Sequence, residues 1–429
     1  MAPSSAPPIS WKRNLGVVWF TELVAIAGFS VMSPILPLYV RELGVRDPRA
    51  VTLWAGAVFS APAVTMAVVS PIWGALSDRY GRKMMVERAM FSGAVLIALA
   101  GLVRSVEQLV VLRAIQGALT GTISAATTLV AATTPRDRAG YAQGLLQMAI
   151  YVGASVGPLL GGVIADEMGY RATFWATGLL LLVAGLGVLF LVREDFQPPP
   201  PRLRPVIRLP LRQRIWTALA PVLGSTLILG QLALGLVART GPRLLAAMMP
   251  LFVESIAAGQ GRIASLSGLV SGVSAAAGAL GAVVLGRLGD RVGYRGIMIG
   301  CALTSVGAYA AMAAVGSPAA LLLWQGLTGL AMGGILASLS AALAVLAPVG
   351  QEGVIYGVNA SLTSVANAAG PLMGSTLAVW LGLRAPFVGS AAFFALSALA
   401  AVRLMPSRPA EAVGPCRHSS AKQEVDLNE

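Results

Sequence analysis

Twelve long apolar runs, each bounded by charge, proline or glycine, constrain this sequence more than any other feature. A helix needs about 20 residues to cross the ~30 Å hydrocarbon core of a bilayer. Because backbone polar groups in that core must be hydrogen bonded within the protein, only helices or a closed barrel can cross it. The runs show no alternation of period two, so they predict an all-α polytopic membrane protein with twelve transmembrane helices. The predicted spans are 14–40, 50–76, 84–104, 107–134, 140–165, 171–192, 217–253, 262–285, 296–315, 318–347, 353–381 and 385–405.

The composition favours the same class. The chain is 56% hydrophobic and 11% charged, with a mean hydropathy of +0.76, which is more apolar surface than a soluble fold can bury. In a soluble protein, a net charge of +13 would suggest a nucleic-acid partner. Here the arginines concentrate in short loops and no nucleic-acid-binding motif is present. The predicted partner is therefore the lipid bilayer, and the charge excess is interpreted as a topology signal.

The distribution of Lys and Arg predicts the orientation. Basic residues cluster in the turns at 79–88 and 136–138, in the central linker, and at Lys12 and Arg13, which places these segments in the cytoplasm. We therefore expect a multi-pass inner-membrane protein, a monomer, with both termini cytoplasmic. The expected units are a cytoplasmic N-terminal segment (1–13), an N-terminal six-helix bundle (14–192), a cytoplasmic linker (193–216), a C-terminal six-helix bundle (217–405) and a disordered cytoplasmic tail (406–429).

The two halves repeat one another. The turn Gly74 to Lys83 recurs in the second half at Gly286 to Gly293, and Gly157-Pro158 recurs at nearly the same offset as Gly370-Pro371. Because six spans separate the copies, both halves have the same orientation, and parallel repeats related by an axis along the membrane normal are expected. The seventh apolar run is long enough for two crossings. The repeat requires one, so we predict a single crossing with a break at Gly241-Pro242.

No enzyme chemistry is predicted. The sequence has two cysteines and one histidine, His418, and it contains no phosphate-binding loop, no grouping of metal ligands and no nucleophile with a paired base in its predicted cytosolic loops. We expect no cofactor and no metal.

Three motifs resemble signatures of the major facilitator superfamily. The loop between spans 2 and 3 resembles the loop signature of that superfamily, in residues Gly74, Asp78, Arg79, Gly81, Arg82 and Lys83. Span 4 resembles its family motif in Arg113, Gln116 and Gly117. Span 5 resembles the motif of drug:proton antiporters rather than uptake symporters, in Gly153, Gly157, Pro158, Gly161 and Gly162, with a second-half copy in Gly370 and Pro371. The chain is most similar to bacterial multidrug exporters, with tetracycline exporters next nearest.

The resemblance implies a gate at the charged turn. In the family, the residue at Asp78 contacts span 11 and holds the cytoplasmic side closed. Arg82 has a candidate partner in Asp137, and Asp290 with Arg291 forms the second copy. Tyr294 replaces the expected basic residue there, which predicts that the N-terminal copy dominates. The alternative is that these charges only anchor the topology.

Charged residues inside spans are costly, so they point to function. We predict proton coupling by Glu22, tuned by Arg113. The alternatives are a carboxylate hydrated near the interface and an arginine that braces backbone carbonyls. The predicted substrate cavity comprises Gln116, Gln147, Tyr151, Gln325, Asn359 and Arg239.

The resemblance implies a secondary transporter that exports drugs or other amphipathic small molecules by proton antiport with alternating access. A proton-coupled exporter of one metabolite, such as a sugar or small organic anion, is the alternative, and an uptake symporter is a further one.

Overall fold

A computed structural model describes residues 11–135, 138–194, 224–257, 261–346 and 352–405. Every regular element in these ranges is a helix, as predicted. The helices are α1 (Trp11–Val31), α2 (Leu36–Glu42), α3 (Pro48–Tyr80), α4 (Arg82–Ala100), α5 (Val106–Leu119), α6 (Thr122–Thr133), α7 (Ala139–Met168), α8 (Tyr170–Leu191), α9 (Thr226–Arg243), α10 (Met249–Ile256), α11 (Ile263–Val292), α12 (Tyr294–Ala314), α13 (Pro318–Leu346), α14 (Glu352–Leu381) and α15 (Ala385–Leu404). The predicted linker beyond 194 and the predicted tail lie outside the described residues.

These helices form twelve spans, six in each half. Eight helices are by themselves long and apolar enough to cross a membrane, within the described ranges. The other spans are α4, α5 with α6, α9 with α10, and α14. Spans 4 and 7 are each made of two shorter helices, and α4 carries four charged residues in its first two turns. The all-α polytopic fold predicted from the sequence is confirmed.

Spans 1 and 7 are broken at equivalent positions. Span 1 turns at 32–35 between α1 and α2, and span 7 turns at 244–248 between α9 and α10. Pro37 and Pro250, which are equivalent in the repeat, each lie in the first turn of the helix that follows, where no backbone donor is needed. The span 7 break starts after Arg243, slightly later than predicted, because Pro242 is accommodated in the last turn of α9.

Span 4 is also broken, and the sequence analysis did not predict it. Helix α5 ends at Leu119 and α6 begins at Thr122, while Gly121 has a φ of 137°, a conformation that favours glycine. The equivalent residue in the second half, Gly333, lies inside the continuous helix α13. The halves therefore differ in span 4.

Glycines set the close packing of both halves in the same way. A Cβ atom added at Gly161 would lie 2.2 Å from the carbonyl oxygen of Val31, and one at Gly374 would lie 1.8 Å from that of Leu244. In the repeat, Gly161 is equivalent to Gly374 and Val31 to Leu244. Each glycine thus allows span 5 or span 11 to approach the break in span 1 or span 7, and only hydrogen fits there.

The two halves meet mainly through two helix pairs, α3 with α14 and α7 with α11, and α2 also contacts α10. We call the end of the molecule where α3 meets α4 the Gly81 end, and the end where α2, α7 and α10 finish the Glu254 end. At the Glu254 end the apolar core of the first half continues into the second half, through Ala247, Met248 and Leu251.

Candidate functional site

Glu22 is fully buried on α1, between spans 1 and 4. Its Oε1 accepts a hydrogen bond of 3.3 Å from the hydroxyl of Thr122, in the first turn of α6. Its Oε2 has no hydrogen-bond partner in the described part of the chain. The break in span 4 places the start of α6 beside this carboxyl group, where the helix dipole favours negative charge. Glu22 is thus buried with one neutral donor, so a charge on it is poorly compensated.

Arg113 is not paired with Glu22 in this structure. Its Nε donates to the carbonyl oxygen of Val58 on α3 at 3.3 Å, and its Nη1 donates to Oε1 of Gln116 at 2.8 Å. The arginine therefore joins span 4 to span 2. Glu22 and Arg113 thus make separate contacts: Glu22 bonds to Thr122 of span 4, and Arg113 bonds to Val58 of span 2.

The second half carries its own polar cluster. Arg239, on α9, donates to Oδ1 of Asn359 on α14 at 3.3 Å. Gln325 on α13 donates to the hydroxyl of Ser274 on α11 at 3.5 Å, while its Oε1 is buried without a partner in the described residues. The structure thus brings Arg239 and Asn359 together and places Gln325 against another helix.

Gln147 and Tyr151 lie on one face of α7, because they are spaced four residues apart. The same face carries Ser155, whose hydroxyl donates to the carbonyl oxygen of Gly272 on α11 at 2.9 Å. Gln147 is exposed and Tyr151 is half-buried. The two residues continue the contact face toward the Gly81 end.

The turn at the Gly81 end is fixed by a carboxylate that the sequence analysis did not identify. Gly81 has a φ of 96° and reverses the chain between α3 and α4. The carboxylate of Glu194 accepts hydrogen bonds from the backbone N–H groups of Arg82 (3.2 Å) and Lys83 (2.7 Å), and lies 3.9 Å from the Arg82 guanidinium. It therefore caps α4. The predicted partner Asp137 and the side chain of Asp78 lie outside the described part, and Arg79 is exposed.

The second copy of this turn has different contacts. The hydroxyl of Tyr294 donates to the carboxylate of Asp290, one helical turn away. Arg291 is exposed. Asp290 is thus hydrogen bonded within its own turn. Its partner Tyr294 stands at the position where the first copy has Arg82.

The small residues of span 5 serve two different contacts. A Cβ atom at Gly153 or Gly157 would lie 2.7 Å or 2.4 Å from backbone oxygens of α1, at Leu23 and Ala27. One at Gly162 would lie 2.3 Å from the backbone oxygen of Ala264, in the other half. Pro158 is buried inside α7 and its carbonyl oxygen faces Gly268 of α11. Gly370 approaches span 7 at Arg243, and Pro371 is buried within α14.

Charged contacts join the halves at the Glu254 end. Arg41 of α2 pairs with Glu254 of α10 at 2.5 Å, and Glu167 of α7 pairs with Arg262 at 2.5 Å. Asp166 accepts hydrogen bonds from the backbone N–H groups of Ala264 (3.3 Å) and Ser265 (2.7 Å) at the start of α11. The hydrogen bonds and ion pairs found between described residues of the two halves lie between this end and the middle of the spans. These contacts between the halves were not predicted from the sequence, because the partners are far apart in the chain.

The fold is that of a membrane transporter. It is similar to a bacterial homologue of the human lysosomal transporter Spinster, solved in an inward-facing and occupied conformation, with a TM-score of 0.77, 13% identity and coverage of 94% of this chain and 98% of that one. It is also similar to the human organic anion transporter MFSD10, with a TM-score of 0.66, 21% identity and coverage of 92% and 100%. These likenesses show the fold alone.

The sequence comparisons define the family. The family model described as Major Facilitator Superfamily matches residues 18–293 and 245–418. Multidrug resistance protein MdtG of Salmonella arizonae is 35% identical over 399 residues, covering 93% of this chain and 96% of that protein. MdtG of Klebsiella pneumoniae is 34% identical over 416 residues, covering 97% and 99%. The chain therefore belongs to the major facilitator superfamily, and the predicted resemblance to bacterial multidrug exporters is confirmed. It is a multi-pass membrane protein that transports a small molecule, and its family is not an enzyme class.

Proposed function

We propose that this protein exports drugs or other amphipathic small molecules from the cell by proton antiport. The names of its MdtG relatives support drug export. The observation that carries proton coupling is the burial of Glu22 without a cation partner. In this setting the charged form of a carboxyl group costs free energy. Whether the group holds a proton therefore depends strongly on its surroundings.

We place the Gly81 end in the cytoplasm, and both termini with it. The basic residues at that end, including Arg79, Arg82, Lys83 and Arg88, agree with the preference of cytoplasmic loops for Lys and Arg. The contacts at the Glu254 end then close the external side, and the conformation faces the cytoplasm. Opening requires that the Arg41–Glu254 and Glu167–Arg262 pairs separate while the Gly81 end closes. The protein works as a monomer in the inner membrane.

Glu22 couples the proton to this movement through span 4. Thr122, its donor, is in the first turn of α6, and Arg113 holds the preceding helix α5 to span 2. A shift of α6 relative to α1 removes the Thr122 hydroxyl and changes the stability of the charged carboxyl. Arg113 thus acts on Glu22 through the position of span 4 rather than by direct contact.

The cavity residues support an amphipathic substrate. Gln116, Gln147, Tyr151, Gln325 and Asn359 are neutral and polar, and Arg239 is held by Asn359. Neutral polar groups in an apolar cavity can bind varied substrates, because they do not hold a substrate in one fixed orientation. The alternative, an exporter of one small organic anion, is favoured by Arg239 alone.

Transport in inverted membrane vesicles tests the proposal. Vesicles that contain the protein are energised with an acidic interior and offered a cationic, a neutral and an anionic dye. We expect accumulation of dyes of more than one charge class, abolished by a protonophore. Accumulation that persists after the proton gradient is collapsed would contradict proton antiport. Transport of a single anionic compound only would support the alternative.

A further inference from the structure

A cavity of about 330 Å³ lies within the first half, next to the turn at the Gly81 end. It is enclosed by α3, α4 and span 4, and it extends from Arg82 and Ser77 at the Gly81 end to Met66, deeper along α3. Its volume is at the lower limit of sites that bind drug-sized ligands. No carboxylate is among the described residues that line it.

Two arginines line this cavity, Arg82 at the Gly81 end and Arg88 deeper along α4. Arg88 is six residues beyond Arg82 on α4, which places it about 9 Å farther from the Gly81 end. Its guanidinium carbon lies 3.5 Å from the centre of the Trp73 ring, and the Trp73 Nε1 donates to the carbonyl oxygen of Ala118 at 2.6 Å. The indole ring is thus fixed by span 4 and holds the guanidinium plane by a cation–π contact.

Two of the three guanidinium nitrogens of Arg88 lack a hydrogen-bond partner among the described residues. Its Nε and Nη1 are buried and have no hydrogen-bond partner. Of the nearby carboxylates, Glu87 lies 3.5 Å from the Lys83 ammonium without a hydrogen bond at its Oε1, and Glu194 pairs with Arg82. An arginine is always charged, and buried donors without acceptors cost free energy. This energetic cost points to an acceptor supplied by a ligand.

The rest of the cavity fits an anion with an apolar body. Ser70 and Ser77 of α3 also line the cavity, and serine hydroxyl groups can donate hydrogen bonds to an anion. Met66 and Met85 supply apolar, adaptable surface beside it.

We propose that this cavity is a second ligand site, which binds a small amphipathic anion. A carboxylate or phosphate head pairs with the guanidinium of Arg88, and the apolar part packs against Met66 and Met85. The site does not depend on the proposed transport function, because binding is measured without transport. The anion is either a soluble compound or the headgroup of an anionic lipid.

Binding of octanoate to the full chain in phosphatidylcholine nanodiscs tests this site. We expect octanoate to raise the melting temperature and to quench tryptophan fluorescence, whereas octanol does so much less. Arg88→Gln should weaken octanoate binding by roughly tenfold or more, the value expected for loss of charge-assisted hydrogen bonds. The matched control is Arg104→Gln, which removes an exposed arginine elsewhere. Equal octanoate affinity in the wild type and Arg88→Gln would overturn the proposal.

A stability measurement keeps the test decisive if Arg88→Gln is poorly folded. Without an anion, Arg88→Met should melt at or above the wild-type temperature, because it removes two buried donors that have no acceptor; a purely structural arginine would give a lower value. Nanodiscs that contain phosphatidylglycerol distinguish the source of the anion. If this lipid raises the apparent dissociation constant for octanoate, the head is a lipid headgroup; if it has no effect, the site takes a soluble anion.

Discussion

The two halves of this transporter share their packing but not their chemistry. Gly157 and Gly161 approach span 1 as Gly370 and Gly374 approach span 7, and Gly117 and Gly329 pack against spans 2 and 8 in the same way. The charged residues inside spans 1 and 4 do not repeat. At the equivalent positions of the second half, Gly235 stands in place of Glu22 and Gln325 in place of Arg113.

This difference separates two kinds of constraint. Close helix packing is required wherever two helices cross, so a duplicated bundle needs the same small residues twice. A buried charge is costly, and one copy per transporter is enough to bind a proton. The break at Gly121, present only in span 4 of the two equivalent spans, places a helix N-terminus beside the buried carboxyl group of Glu22.

The largest effects should come from changes in the shared packing. Gly161→Ala and Gly374→Ala each force a Cβ atom against a backbone oxygen, so each should lower the melting temperature of the purified protein by several degrees, about 1–3 kcal/mol. The matched controls are Gly144→Ala and Gly357→Ala, which are also equivalent in the repeat and where an added Cβ atom meets nothing within 4 Å. These should leave the melting temperature unchanged or raise it. If only one of the two packing variants is destabilised, the packing is not shared.

A smaller, asymmetric effect is expected at the two charged turns. Asp78→Asn should reduce transport by roughly tenfold, because the variant loses a charge-assisted contact. Membrane insertion should persist. Asp290→Asn should have little effect, because Asp290 is engaged by Tyr294 on its own turn. Dye transport and immunoblots of the membrane fraction measure both. Equal loss in the two variants would show that the gate is symmetric.

The smallest effect should follow from Arg113→Gln, which makes the first half like the second at this position. The variant loses a hydrogen bond to the Val58 carbonyl but leaves Thr122 beside Glu22. We expect a roughly threefold lower transport rate with the same dependence on pH. A pH profile of transport checks this. A large displacement of that profile would mean that Arg113 acts directly on the Glu22 carboxyl.

Sequence patterns predicted the scaffold well, because membrane spans depend on local features. Apolar length, basic loops and the internal repeat identified the spans, and the repeat required the single crossing of span 7. The break in span 1 could have been found from the same repeat, since Pro37 matches Pro250. The Gly121 break had no comparable signal, because glycine is tolerated in membrane helices and Gly333 continues its helix.

The site was predicted less completely, because its contacts join distant segments. Glu22 was recognised as a buried acid, but its donor Thr122 lies 100 residues away and a threonine in an apolar run is not distinctive. In the same way, Glu194 caps α4 from beyond span 6. The pairing of Arg82 with Asp137 stays a prediction, because Asp137 lies outside the described residues. The assignment of the gate and cavity residues remains a prediction.

Proton release on substrate binding tests most directly whether proton chemistry belongs to the first half. Purified protein in weakly buffered solution is mixed with a transported dye, and a pH indicator records released protons. We expect the wild type and Glu107→Gln, which removes an exposed carboxylate of α5, to release protons. Glu22→Gln, which mimics the protonated acid, should bind the dye but release none. Proton release by Glu22→Gln at the wild-type level would contradict the account and place the proton site elsewhere.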